Sequence, residues 1–147
     1  MLDPSPVTTK LMKHSVLLAD DHAATVQTWR ALIEPEFDVV GSVGGGRALV
    51  EAHDRLAPDV IVADIGMPEM NGIAAAETIL KRHPAARIIL VTAYTDRALL
   101  RRGVAAGAVG YVLKVRVGDE LLAALRAVLR GELYIGAFPP LNEKAPG

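Results

Sequence analysis

Five short apolar runs recur along the chain, each closed by turn or polar residues and each followed by a stretch of helical periodicity. They are Val16–Ala19, Phe37–Val40, Val60–Ala63, Arg87–Val91 and Val109–Leu113. Runs this short and continuous read as strands buried on both faces. The intervening stretches are Ala23–Glu34, closed by Pro35, and the Ala48, Leu49, Ala52, Leu56 series that ends at Pro58. Ile73–Arg82 stops before Pro84, and a helix capped by Asp96 runs to about Ala105, with Gly107 as terminator. Asp119–Arg130 places Leu121, Leu122, Leu125, Val128 and Leu129 on one stripe, and Gly131 stops it. Alternation of this kind predicts an α/β fold, a doubly wound parallel sheet with helices on both faces. The flavodoxin-like (βα)5 arrangement, strand order 2-1-3-4-5, is the expected topology. It makes the first and third strands neighbours across the switch point.

In such a sheet, ligands bind just beyond the carboxyl ends of the strands. Strand 1 ends in Asp20 and Asp21, strand 3 in Asp64, strand 4 in Thr92 and strand 5 in Lys114. Three carboxylates on one rim repel one another unless a cation joins them. Oxygen-only donors, with neither His nor Cys at those strand ends, favour a hard ion, Mg²⁺ above all. Mg²⁺ keeps several waters and takes one or two carboxylates together with phosphate oxygens. Lys114 and Thr92 suit the remaining oxygens of a phosphoryl group. The chemistry expected is phosphoryl transfer onto a carboxylate, with Asp64 as nucleophile. Singly, each of these residues reads more readily as a cap or turn residue. Their joint occurrence at successive strand ends is what carries the assignment.

Composition narrows the alternatives. At 147 residues the chain fits one domain, and its net charge of −1 leaves no global basic footprint for nucleic acid. The absence of cysteine excludes disulfides, thiolate metal sites and a cysteine nucleophile. No apolar run approaches the ~18 residues of a membrane span, and a cytoplasmic protein with no membrane partner is expected. The cluster Gly44-Gly45-Gly46 lacks the Lys-Ser/Thr of a phosphate-binding loop and reads as a helix entry.

The segments Leu17–His22, Asp64–Gly72, Val91–Ala93 and Gly110–Lys114 resemble the response-regulator receiver domain of two-component signalling. Asp119–Gly131 is similar to the LuxR/NarL-like branch. The resemblance covers about Ser15 to Ile135. It implies that Asp64 is the phosphoacceptor and that a histidine kinase is the donor. It also implies that Asp21, Asp64 and the Gly66 carbonyl hold Mg²⁺, with Asp20 as outer partner. Thr92 then matches the switch hydroxyl, beside a small Ala93. Lys114 matches the lysine that pairs with the phosphoryl group, and Tyr111 the aromatic that moves inward with Thr92. The family's usual proline after the lysine is replaced by Val115, so a different or more mobile turn is expected there. Gly66 and Tyr94 occupy the two positions that govern water access, one small and one bulky.

The expected organisation is a flexible leader over 1–14, a receiver domain over 15–135, and a tail or cut linker over 136–147. A LuxR-type regulator acts on DNA through a helix-turn-helix domain, which this chain does not contain. A homodimer on activation is expected, and Arg97, Arg101 and Arg102 form either a solvated face or a partner surface. The alternatives are a stand-alone receiver working by protein contact or phosphorelay, and an aspartyl-nucleophile phosphohydrolase. The latter wants an acid where Gly66 stands. The chain is otherwise no enzyme beyond its own phosphorylation and dephosphorylation.

Overall fold

The computed structural model describes residues 13–93, 95 and 97–137. The expectations for Asp96, Tyr94, most of the leader and most of the tail lie outside the described residues. Strands β1 (Ser15–Ala19), β2 (Asp38–Val43), β3 (Val60–Asp64), β4 (Ile88–Thr92), β5 (Gly110–Leu113) and β6 (Tyr134–Ile135) form one sheet. Their order is β2-β1-β3-β4-β5-β6, and every pairing is parallel. The helices are α1 (Ala23–Ile33), α2 (Gly46–Leu56), α3 (Gly72–Arg82), α4 (Arg97–Ala106) and α5 (Val117–Leu129). The doubly wound sheet in the order 2-1-3-4-5 is therefore the architecture, with a sixth short strand added beyond β5.

Period-2 alternation along each strand feeds two separate cores. Leu17, Ala19, Ile61, Ala63, Ile88, Leu90 and Tyr111 face one way, where Leu49, Ala76 and Ile79 from α2 and α3 cover them. Val16, Leu18, Val60, Val62, Ile89, Val91 and Val112 face the other, against Trp29, Ile33, Leu121 and Leu125 from α1 and α5. Both faces are thus sealed, and polar chemistry is confined to the strand ends.

Two differences from the sequence expectation have local causes. β2 does not end at Gly41 but continues to Val43; its register against β1 slips between Val16 and Leu17, so Gly41 sits at a bulge. β6 is too short to show periodicity, and it is fixed by pairing with β5. Gly107 and Gly131 end α4 and α5 at positive φ, as terminators should. Lys114–Arg116 form a single 3-10 turn that runs straight into α5 and leaves Val115 exposed. That is the different turn expected where the proline is missing.

Candidate functional site

The carboxyl ends of β1, β3, β4 and β5 converge on one rim. Each apolar strand is buried to its end, so the polar side chain at or just past that end emerges at the edge, more than nine-tenths buried in three of the four cases. Asp20 is 3 % exposed, Asp64 4 % and Thr92 7 %. Asp21, one residue further on, is exposed. Lys114 reaches in from the end of β5 and places its Nζ 3.1 Å from Asp20 Oδ2 and 3.3 Å from Asp64 Oδ2.

Asp64 is held on three sides. Its strand pairs with β1 and β4, and the Ile65 amide donates to the Val91 carbonyl at 2.9 Å. The loop after it folds back tightly, with the Gly72 amide donating to the Ile65 carbonyl at 2.8 Å. A side chain at residue 72 would approach the Asp64 carbonyl oxygen to 2.5 Å, so only glycine lets α3 start there. Asn71 then caps α3 by accepting from the Ala74 amide at 2.9 Å. Gly46 performs the matching task from α2: its amide donates to the Met70 carbonyl at 3.0 Å, and a Cβ there would collide with that carbonyl. The glycine cluster is therefore a clamp on the loop that follows Asp64.

Burial pushes the Asp64 carboxyl above the ordinary Asp value. Lys114 and a hydrogen bond from the Gly66 amide oppose this, and Asp20 adds to it. For Lys114, burial works downward, but the pairing with Asp20 and Asp64 outweighs it and holds the ammonium above its usual value. One positive charge thus faces two buried carboxylates and an exposed third. The Nζ contact also leaves Asp20 Oδ2 buried without a well-directed hydrogen bond. A buried carboxylate oxygen whose partner is one shared ammonium, beside two further carboxylates, leaves excess negative charge that fits a hard cation bound on this rim.

His22 is the residue that sequence reasoning passed over. Its amide donates to Asp20 Oδ1 at 2.7 Å, and its Nδ1 lies 3.2 Å from both Asp20 Oδ1 and Asp21 Oδ1. The three residues could hold a metal ion together. The only available signal was adjacency, since an Asp-Asp-His run at a strand end must turn all three onto the same rim. Tyr111 is 2 % exposed, and its hydroxyl donates to the Ala108 carbonyl at 2.8 Å. Its ring is turned inward, away from the solvent face that a strand tyrosine commonly takes. Arg101 and Arg102 stand exposed on α4.

Comparison with known proteins agrees with this geometry. Residues 16–126 match the response regulator receiver domain. The chain is 37 % identical over 122 residues to the transcriptional regulatory protein YxjL of Bacillus subtilis (strain 168), covering 82 % of this chain and 56 % of that protein. It is 35 % identical over 118 residues to the chemotaxis protein CheY of Thermotoga maritima, covering 80 % of this chain and 98 % of that one. A solved LuxR-family two-component response regulator from Aurantimonas sp. SI85-9A1 superposes with a TM-score of 0.82 at 30 % identity, over 90 % of this chain and 94 % of that one. The chain spans about half the length of the transcriptional regulators it matches. No helix among the described residues is long and apolar enough to cross a membrane. A match over most of the chain, a shared sheet order and an acidic rim facing one lysine lead to one conclusion: the chain belongs to the response-regulator receiver family, a family of signalling phosphoacceptors, and its relatives are of the LuxR/NarL type.

Proposed function

We propose that Asp64 accepts a phosphoryl group from a histidine kinase, within a receiver domain spanning 15–135. The observation that carries this reading is the pair of contacts from Lys114 to Asp64 and Asp20, on a rim where every other group comes from a strand end. An Asp64 carboxylate oxygen attacks the phosphorus of the donor phosphohistidine. A P–O bond forms, the P–N bond breaks, and the imidazole leaves with the electron pair. Asp64 must be ionised to attack, and the Lys114 ammonium favours that form against the burial that opposes it. Lys114 then turns to the phosphoryl oxygens, and the Thr92 hydroxyl donates to another of them.

Asp21, Asp64 and the Gly66 carbonyl would hold Mg²⁺, with Asp20 as an outer partner. The ion supplies charge neutralisation for the three carboxylates and the incoming phosphoryl oxygens. His22 Nδ1, 3.2 Å from a carboxylate oxygen of each, ties Asp20 and Asp21 together for that task. Tyr111 already stands inward under α4, so the turn of Thr92 toward the phosphoryl group locks that position instead of creating it. The altered α4–β5–α5 surface passes the signal on, by homodimerisation and through a DNA-binding domain in a cytoplasmic regulator. The extent of the match to the transcriptional regulators supports that output. Near-complete coverage of a CheY chain favours the second reading, a receiver that acts by protein contact alone. Reading the gene past codon 147 distinguishes them.

Incubation with acetyl phosphate and MgCl₂, followed by intact-mass measurement, tests the phosphoacceptor. One added phosphoryl group is expected, and none in Asp64→Asn; labelling that survives this substitution overturns the assignment. Asp21→Ala should abolish the Mg²⁺ dependence, and unchanged metal affinity in that variant removes Asp21 as a ligand.

A further inference from the structure

A second cluster of metal-ligating side chains lies away from the phosphoryl site. Because every helix runs back against its parallel strand, the C-termini of α2 and α3 sit at the rim opposite Asp64. His53 and Asp54 occupy the last turns of α2, and His83 is the C-cap of α3. His83 Nε2 lies 3.1 Å from Asp54 Oδ1, and the His53 and His83 rings are 4.7 Å apart between centroids. One ligand atom from each of the three residues falls within 4.8 Å of the others.

We propose that His53, Asp54 and His83 form a binding site for a borderline transition-metal ion of the Zn²⁺ class, pinning α2 to α3. Four independent features support it. Two imidazoles with one carboxylate are a donor set for Zn²⁺ and its neighbours, not for Mg²⁺. Ligands about 2.0–2.1 Å from a tetrahedral ion stand about 3.3 Å from each other, so the 3.1 Å separation of His83 and Asp54 needs little adjustment. His53 is only 8 % exposed, and its buried Nδ1 has no hydrogen-bond partner. A nine-tenths buried imidazole with an unpartnered nitrogen, its ring 4.7 Å from a second imidazole, has an unmet requirement for a partner. Both helices also end here, and their C-terminal partial negative charges favour a cation.

Arg82 is the feature that could oppose this. Its NH1 pairs with Asp54 Oδ2 at 2.9 Å and leaves Oδ1 toward His83. The guanidinium therefore acts as the outer partner that orients a monodentate carboxylate, a common arrangement around bound metals. The fourth coordination position falls to water.

The test titrates the full chain with ZnCl₂ by calorimetry, in excess MgCl₂ so that the Asp20–Asp21–His22 rim is engaged. One Zn²⁺ per chain is expected. His83→Gln and Asp54→Asn, both at half-exposed positions, should each weaken it by at least about tenfold, the lower range for loss of even an outer-shell partner. Replacement of Zn²⁺ by Co²⁺ gives a second readout: visible absorption of a four- or five-coordinate ion, lost in His83→Gln. Phosphorylation of Asp64 should be unaffected in both variants. Equal Zn²⁺ affinity in native protein, His83→Gln and Asp54→Asn overturns the proposal, as does absence of Zn²⁺ binding to the native chain.

Discussion

Gly103 on α4 lies against the ring of Tyr111 on β5 so closely that a Cβ at residue 103 would stand 2.7 Å from Tyr111 Cε1 and 3.0 Å from Leu90 Cδ1. The inward Tyr111 position thus depends on a missing side chain one helix away. The same ring is secured from below by the hydroxyl's bond to Ala108.

Gly103→Ala should therefore destabilise the fold by about 1–3 kcal/mol in urea unfolding, the scale of an overpacked core. In a Tyr111→Ala background the ring is absent and most of that penalty should vanish, so the two substitutions are strongly non-additive. Simple additivity would show that the cost arises elsewhere, for example at Leu90.

Asp64 gives a pH-dependent prediction. Its native carboxyl is raised above the ordinary 3.8 by burial, so the native state binds the proton more readily than the unfolded chain. Stability from this group is greatest below 3.8 and is lost as pH rises through the native value. Without divalent cations, Asp64→Asn should stabilise the protein at pH 7 by about 1 kcal/mol, the lower range for relieving an imperfectly paired buried charge. The gain should shrink toward zero in acid below 3.8. Adding Mg²⁺ should stabilise the native chain and not the variant. Equal denaturation midpoints at pH 7 would show that Lys114 compensates fully.

The sheet and its rim were legible because both depend on local pattern. A run such as Val60–Ala63 has no polar atom to satisfy, so it must be covered on both faces, and Asp64 must emerge at its end. The same logic placed Asp20, Thr92 and Lys114. What escaped detection depends on distances between elements remote in sequence. Gly46 reads as a loop residue until Met70 is seen against it, and Gly103 as an ordinary helical position until Tyr111 is. Gly41 looked like a terminator because a bulge needs a partner strand to define it. His53 and His83, 30 positions apart in sequence, meet only because α2 and α3 end side by side.

Glu69 stores strain. Its φ is 67°, and the Met70 amide donates to the Pro68 carbonyl at 2.7 Å, which makes Glu69 the centre of the rare positive-φ γ-turn. Glu69→Gly removes a strain of about 1 kcal/mol, partly offset by glycine's greater freedom in the unfolded chain. Glu69→Val places a β-branched residue in the same region and should cost about 1–2 kcal/mol. The expected order of unfolding midpoints is Gly at or above Glu, with Val clearly below. Val equal to Glu would mean that the turn relaxes freely in solution.

Glu120 fixes the chain's exit from the sheet. It is 7 % exposed on α5, and both of its carboxylate oxygens accept from the Ala137 amide, at 3.3 and 3.1 Å. Arg116 Nε approaches the same carboxylate at 3.4 Å, and a Cβ at Gly136 would collide with its Oε1. The Gly136 amide donates to the Tyr111 carbonyl at 2.8 Å, so the segment after β6 is tied to α5 and to β5 at once. Glu120→Ala removes the α5 tie, a charge-assisted bond of about 1.5 kcal/mol. Amide exchange at Tyr134, Ile135 and Ala137 should accelerate roughly tenfold, because fraying of a two-residue edge strand needs no opening of the core. Protection in β1, β3 and β4 should stay unchanged, since each is buried between two paired neighbours. Uniform loss of protection across the sheet would show instead that Glu120 supports the packing of α5 as a whole.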